Sequence, residues 1–255
     1  MSMLKDTRLV DLLAGVESPS LEGRRTWQLA VIKVDPSVSG IVGLKPTFGL
    51  VPYTGIASGE HFVDYAGPIT KVIIDAALLL QVLAGSDHLD GYDNLSLSDY
   101  PALTAKGIKG FKVGILKESL IVKTTDERVA ALVVKAASRF AELGAEVEEV
   151  SVPDHLLAPD IWAIVRRLGS TAQCFGRESP RRGHVMNDLM AKFDPWTPTM
   201  FGKAFPSIHQ QLLTGLYAEA NLPATLLGKA TNLILKLAHD YDEALSKFDV
   251  LITPT

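Results

Sequence analysis

The residue types and spacings in this sequence form no familiar catalytic or metal-binding motif. The histidines at positions 61, 88, 155, 184, 209 and 239 lack metal-ligand spacings such as HExxH, so we expect no metal site. The sequence also lacks the GxSxG, GxxxxGK[ST] and GxGxxG strings, which indicate a nucleophile elbow, a phosphate loop and a dinucleotide loop. Motif searching alone therefore identifies no reaction.

Cys174 is the only cysteine, so the chain cannot form an internal disulfide or a thiolate zinc site. A single cysteine is typical of a protein from a reducing compartment, and we interpret Cys174 as a small buried side chain. The N-terminal segment carries charges where a secretory signal has its apolar core. The sequence therefore predicts a cytoplasmic protein.

The composition excludes several classes of protein. Hydrophobic residues make up 47% of the 255 residues and charged residues 21%, which excludes an intrinsically disordered chain. No apolar run approaches the ~18 residues that span a bilayer, so we expect no membrane partner. The net charge of −4 provides no basic surface for nucleic acid.

The clearest structural pattern lies between residues 112 and 152 and is typical of an α/β protein. KVGIL (112–116) predicts a strand, Thr124 and Glu127 predict a capping box, and Gly144 ends the helix before a second strand at 146–152. A strand, a crossover helix and a strand in this order predict two parallel strands. The helix is predicted to bury one apolar face, formed by Val129, Leu132, Val133, Ala136, Phe140 and Leu143.

Further elements are predicted on both sides of this unit. The pattern of residues 70–85 predicts a helix that Thr70 caps and that is buried on most sides. We expect Asp75, within this helix, to have a structural role. Proline and glycine predict an irregular segment at 36–54. The segment 180–206 is rich in turns and forms either one wall of a ligand site or a surface excursion. The remaining predictions are helices at 156–170 and 227–246 and a buried parallel strand at 249–252.

Three strings in the first half of the chain resemble the amidase signature family. They are SGIVGLKPTFGLVPYTG (39–55), DYAGPIT (64–70) and DAALLLQVLAG (75–85). The later strings GFKVGILKE (110–118), AELGAEVEEVSVP (141–153) and FDVLITPT (248–255) are also similar to family segments. The resemblance covers 39–255 and implies a mixed sheet flanked by helices. We expect 36–255 to be a partial domain of this kind, incomplete at both ends, and 1–35 to be an unmatched segment.

The resemblance also implies a chemistry, namely hydrolysis of the C–N bond of a small carboxamide without a metal or cofactor. The family uses a Ser–cis-Ser–Lys triad, in which a neutral lysine accepts a proton through a bridging serine and thereby activates the nucleophile. The bridging serine lies in a GSSGG stretch, and the nucleophile lies in GGSIR, shortly before the GLKPT string. Glycines before the nucleophile let backbone amides approach the oxyanion.

The catalytic positions of the family hold other residues here. Counting back from Gly40, Val31 occupies the position of the nucleophile, and valine has no nucleophilic atom. The sequence contains no GSSGG run. We therefore predict no catalytic residue, and the register also excludes Ser37 and Ser39 as substitutes. The other departures are Leu29 and Ala30 for the glycines, Lys33 for the arginine, Asp35 for a proline, and Lys5 in an unrelated context.

Three aromatic residues are the only candidates for contact with a substrate. By analogy with the family, Tyr53, Trp162 and Trp196 would line an acyl pocket. Each of them could instead pack as an ordinary core or surface aromatic, which is the commoner role. The substrate-binding residues therefore stay open.

Three hypotheses about function follow. In the first, the chain is a truncated form of an amidase and is inactive as it stands. In the second, it is a pseudoenzyme that acts as a binding protein, with exposed sheet edges that accept a partner strand. The third, an unrelated α/β enzyme, has no specific support. Association with further copies of the chain is compatible with the first two.

Overall fold

The computed structural model describes residues 39–56, 64–89, 97–123, 125–175, 184–192 and 197–254. The described residues divide into two compact units, the first within 39–53 and 65–105 and the second within 54–64 and 106–254. The elements in chain order are β1 (Val42–Gly43), β2 (Ile69–Thr70), α1 (Ile73–Leu83), α2 (Tyr100–Thr104), β3 (Lys112–Leu116), α3 (Lys117–Ile121), α4 (Glu127–Glu142), β4 (Glu146–Val150), a 3-10 helix (Pro153–Leu157), α5 (Ala158–Cys174), α6 (Asn187–Met190), α7 (Pro198–Lys203), α8 (Pro206–Asn221), α9 (Leu226–Leu245) and β5 (Val250–Ile252).

The first unit is built on a short antiparallel pair and one longer helix. Val42 pairs with Thr70 and Gly43 with Ile69, and α1 follows this pair directly. Ala76, Ala77 and Leu80 form the buried side of α1. Ile73, Ile74 and Gln81 are exposed, and the other residues of α1 are buried or half-buried, which agrees with the prediction of a helix buried on most sides.

The second unit contains a parallel sheet in the order β4–β3–β5. β3 pairs in parallel with β4, from Lys112 opposite Glu146 to Leu116 opposite Val150, and in parallel with β5 on its other edge. α4 makes the crossover between β3 and β4. The predicted βαβ unit and the α/β class are confirmed.

Two apolar clusters hold the second unit together. In the first, Leu116, Val152 and Ala244 are buried under the sheet end and α9. In the second, Ile161 and Val165 of α5 pack against Ala230 of α9. Leu237 packs against both clusters, so α9 connects the sheet to the helical layer.

Both predicted helix caps are wrong, for local reasons. Thr70 does not cap α1, because its backbone pairs with Val42 in β2 and the helix begins three residues later. At α4 the cap is Asp126, whose carboxylate accepts a hydrogen bond from the Arg128 amide. Thr124, the predicted cap, lies outside the described residues. An aspartate next to the first helical residue satisfies the free amides without a capping box.

The predicted apolar face of α4 is only partly buried. Ala137 is buried and Val133 and Phe140 are half-buried, but Leu132 is 64% exposed and Leu143 51%. The apolar periodicity of the sequence thus predicts a wider buried face on α4 than the face that packs against β3 and β4. The helices predicted at 156–170 and 227–246 correspond to α5 and α9, each with slightly different ends. In the described part of the chain, no helix combines the length and apolar character needed to cross a membrane.

Candidate functional site

The GLKPT string (43–47) lies in the first unit, where it begins in β1 and leads into a turn. The Leu44 amide donates to the Pro68 carbonyl at 3.0 Å, which continues the pairing of the two strands. The Leu50 amide donates to the Thr47 carbonyl at 3.1 Å, and Gly49 between them has a φ of +77°, which glycine adopts without strain. The string is therefore an extended segment that leads from β1 into a tight turn at residues 47–50.

Lys45 and Tyr65 form the polar contact of this turn. The Lys45 ammonium lies 3.8 Å from the centre of the Tyr65 ring and donates to the Pro46 carbonyl at 2.8 Å. Phe48 meets the same ring edge-on at 5.6 Å. Burial raises the pKa of the Tyr65 hydroxyl. Because the Lys45 ammonium contacts both the Tyr65 ring and the Pro46 carbonyl, this geometry explains how the string is held against the segment before β2.

The predicted site residues are distributed over the chain. Val31 and the other residues at the catalytic positions of the family, and also Trp196, lie outside the described residues. Tyr53 is half-buried in the first unit. Trp162 lies on α5 of the second unit, 53% exposed, with the Arg166 guanidinium 5.1 Å from its ring centre. This contact with a neighbour on the same helix matches the interpretation of Trp162 as a packing residue. A role of Trp162 in a pocket stays a prediction.

The second unit contains a polar cluster that the sequence patterns did not indicate. Glu118 is only 8% exposed; one carboxylate oxygen accepts from the Ser151 hydroxyl at 2.5 Å and the other from the Val152 amide at 2.9 Å. Burial raises the pKa of Glu118, but these hydrogen bonds outweigh it and hold the pKa below its usual value. A carboxylate stabilised in its ionised form is a weak base. Glu118 therefore connects α3 to the residues that follow β4.

His155 extends this cluster toward α9. Its Nδ1 atom lies 2.6 Å from the Tyr241 hydroxyl, and the two rings meet edge to face. Burial lowers the pKa of His155, and the negative charge of Glu118 partly opposes that shift. The same burial raises the pKa of Tyr241. At neutral pH the cluster thus consists of an ionised glutamate, a neutral imidazole and a neutral phenol.

Replacing Glu118 with alanine is expected to lower the free energy of unfolding. The change leaves the Val152 amide without its acceptor, and an unsatisfied buried donor costs about 1–3 kcal/mol. Glu118→Gln is expected to cost less, because an amide oxygen still accepts one of the two bonds. Urea unfolding followed by circular dichroism measures both. Glu148→Ala, at an exposed position of β4, is the control, and an equal loss there would contradict the assigned role.

Acid is expected to destabilise the fold partly through His155. The ordinary pKa of histidine is 6.5, and the folded value is lower. Below pH 6.5 the unfolded chain therefore binds more protons, so stability is fully present above this pH and is lost as the pH falls toward the folded pKa. Unfolding measured from neutral to mildly acidic pH should show a shallower loss for His155→Asn than for the native chain. A profile of His155→Asn that runs parallel to that of the native chain would contradict this role of His155.

Comparison with known proteins identifies the family. The sequence model of the family named Amidase matches residues 32–255. The chain is 34% identical over 229 residues to a glutamyl-tRNA(Gln) amidotransferase subunit of Synechococcus sp. (strain CC9902), covering 88% of this chain and 46% of that protein. It is 30% identical over 226 residues to the same subunit of Microcystis aeruginosa (strain NIES-843 / IAM M-2473), with the same coverage. The chain thus spans less than half the length of these curated relatives.

Solved structures agree with this result. The same subunit of Thermotoga maritima superposes with a TM-score of 0.59 and 25% identity, covering 84% of this chain and 42% of that one. A bacterial aryl acylamidase of the amidase signature family has a TM-score of 0.63 at 24% identity and the same coverage, a likeness of fold. Since the family model covers all but the first 31 residues and the strings at 39–85 lie within it, this chain belongs to the amidase signature family.

Proposed function

We propose that this chain is a part of an amidase signature hydrolase that does not hydrolyse amides by itself. The observation that carries the proposal is the residue at the nucleophile position, where the register from the GLKPT string puts Val31. Support comes from the family match over residues 32–255, which contains the GLKPT string that defines this register. A valine side chain can neither attack a carbonyl nor pass a proton to a lysine.

The parent activity proposed for a longer form is hydrolysis of a carboxamide C–N bond by the serine–serine–lysine mechanism. In that form, a neutral lysine would remove a proton through the bridging serine, and backbone amides would stabilise the oxyanion. The substrate proposed is a small-molecule amide, with no metal, cofactor or nucleic acid.

The compartment proposed is the cytosol. Cys174 has no second cysteine in the chain with which to form a disulfide, and burial raises the pKa of its thiol, which disfavours the reactive thiolate. Both properties fit a protein that works under reducing conditions.

The proposal is tested with the purified 255-residue chain and two assays, ammonia release from primary carboxamides and nitroaniline release from p-nitroacetanilide. The expected rate equals that of buffer for every substrate. Hydrolysis that follows the protein through two successive chromatography steps and depends linearly on its concentration would overturn the proposal. Val31→Ser, which restores a hydroxyl without the lysine and bridging serine, is expected to stay inactive as well.

The intact mass of the native protein separates a longer active form from a binding protein. An antibody against residues 110–150 captures the protein from its source, and mass spectrometry gives the mass of the captured chain. A mass well above 27.5 kDa supports a longer hydrolase, in whose additional sequence the triad should be found. A mass of 27.5 kDa supports the alternative, a non-catalytic binding protein derived from an amidase.

A further inference from the structure

We draw no further inference here: the strongest candidate, the exposed apolar face of α7 and α8 around Phe205, Leu213 and Tyr217, carries none because nothing in the described part of the chain shows what covers it.

Discussion

Replacing Gly215 with alanine is expected to destabilise the second unit by about 3 kcal/mol, because it separates α5 from α8. A Cβ atom at Gly215 would overlap Oγ1 of Thr171 and would lie 2.7 Å from its Cβ and 3.0 Å from the Arg167 carbonyl oxygen. Thr171 is fully buried and β-branched, so it cannot rotate away at low cost. Urea unfolding monitored by circular dichroism measures the loss.

Gly228→Ala provides a matched control for this substitution. Gly228 lies within α9, and nothing lies within 4 Å of the position of its added Cβ. Alanine there is expected to stabilise the helix by roughly 0.5–1 kcal/mol, the difference in helix propensity. If both alanine variants changed stability in the same direction and by similar amounts, the clash would not be the cause. The double variant Gly215→Ala with Thr171→Ala, which removes the nearer clashing atom, should recover part of the loss.

The parallel sheet of the second unit was predictable because its signals are local. KVGIL is a short apolar run, and the strand extends over those residues, Lys112–Leu116. The crossover helix and the next strand follow at once in the sequence, so periodicity and Gly144 were enough to order them. The C-terminal strand has the same apolar signal and pairs in parallel with β3 as predicted, but it is not a buried strand, because Val250 is exposed and Leu251 and Ile252 are half-buried.

α8 was not predicted, and its composition explains why. Leu212 and Gly215 are buried on one side while Leu213, Leu216 and Tyr217 are exposed on the other, so apolar residues surround the helix. This distribution removes the periodicity of a one-sided helix. The prolines before it favour an interpretation as turns, although Pro206 stands at the first helical position, where proline is well tolerated.

The Glu118 cluster was missed because its contacts are distant in sequence. Ser151 and Val152 lie more than thirty residues after Glu118, and Tyr241 lies 86 residues after His155. A single polar residue in a sequence does not indicate which distant residue it will contact. The family strings at 39–85 were enough to identify the fold, because they combine glycines and prolines in a fixed order. The position that would hold the nucleophile, Val31, precedes the described residues. The chemistry therefore rests on the sequence register alone.

Replacing Leu116 with alanine is expected to lower the free energy of unfolding by about 2–5 kcal/mol, the range observed for buried leucines. Leu116 is 0% exposed at the end of the central strand β3, in contact with the cluster of Val152 and Ala244. Loss of its side chain leaves a cavity where β3, the end of β4 and α9 meet. Because β3 pairs with both neighbouring strands, these elements cannot close in without breaking the sheet register.

Leu132→Ala separates this cavity effect from the loss of a leucine as such. Leu132 is 64% exposed on α4, so the same change there removes little buried surface and is expected to shift stability by less than about 0.5 kcal/mol. The urea midpoint of each variant is compared with that of the native chain. The comparison requires that the dependence of the unfolding free energy on urea concentration has the same slope, since a changed slope would indicate a different denatured state. Similar losses for the two leucines would show that the cluster around Leu116 does not hold the sheet to α9. A large loss for Leu116→Ala alone would locate the stability of the second unit in this cluster.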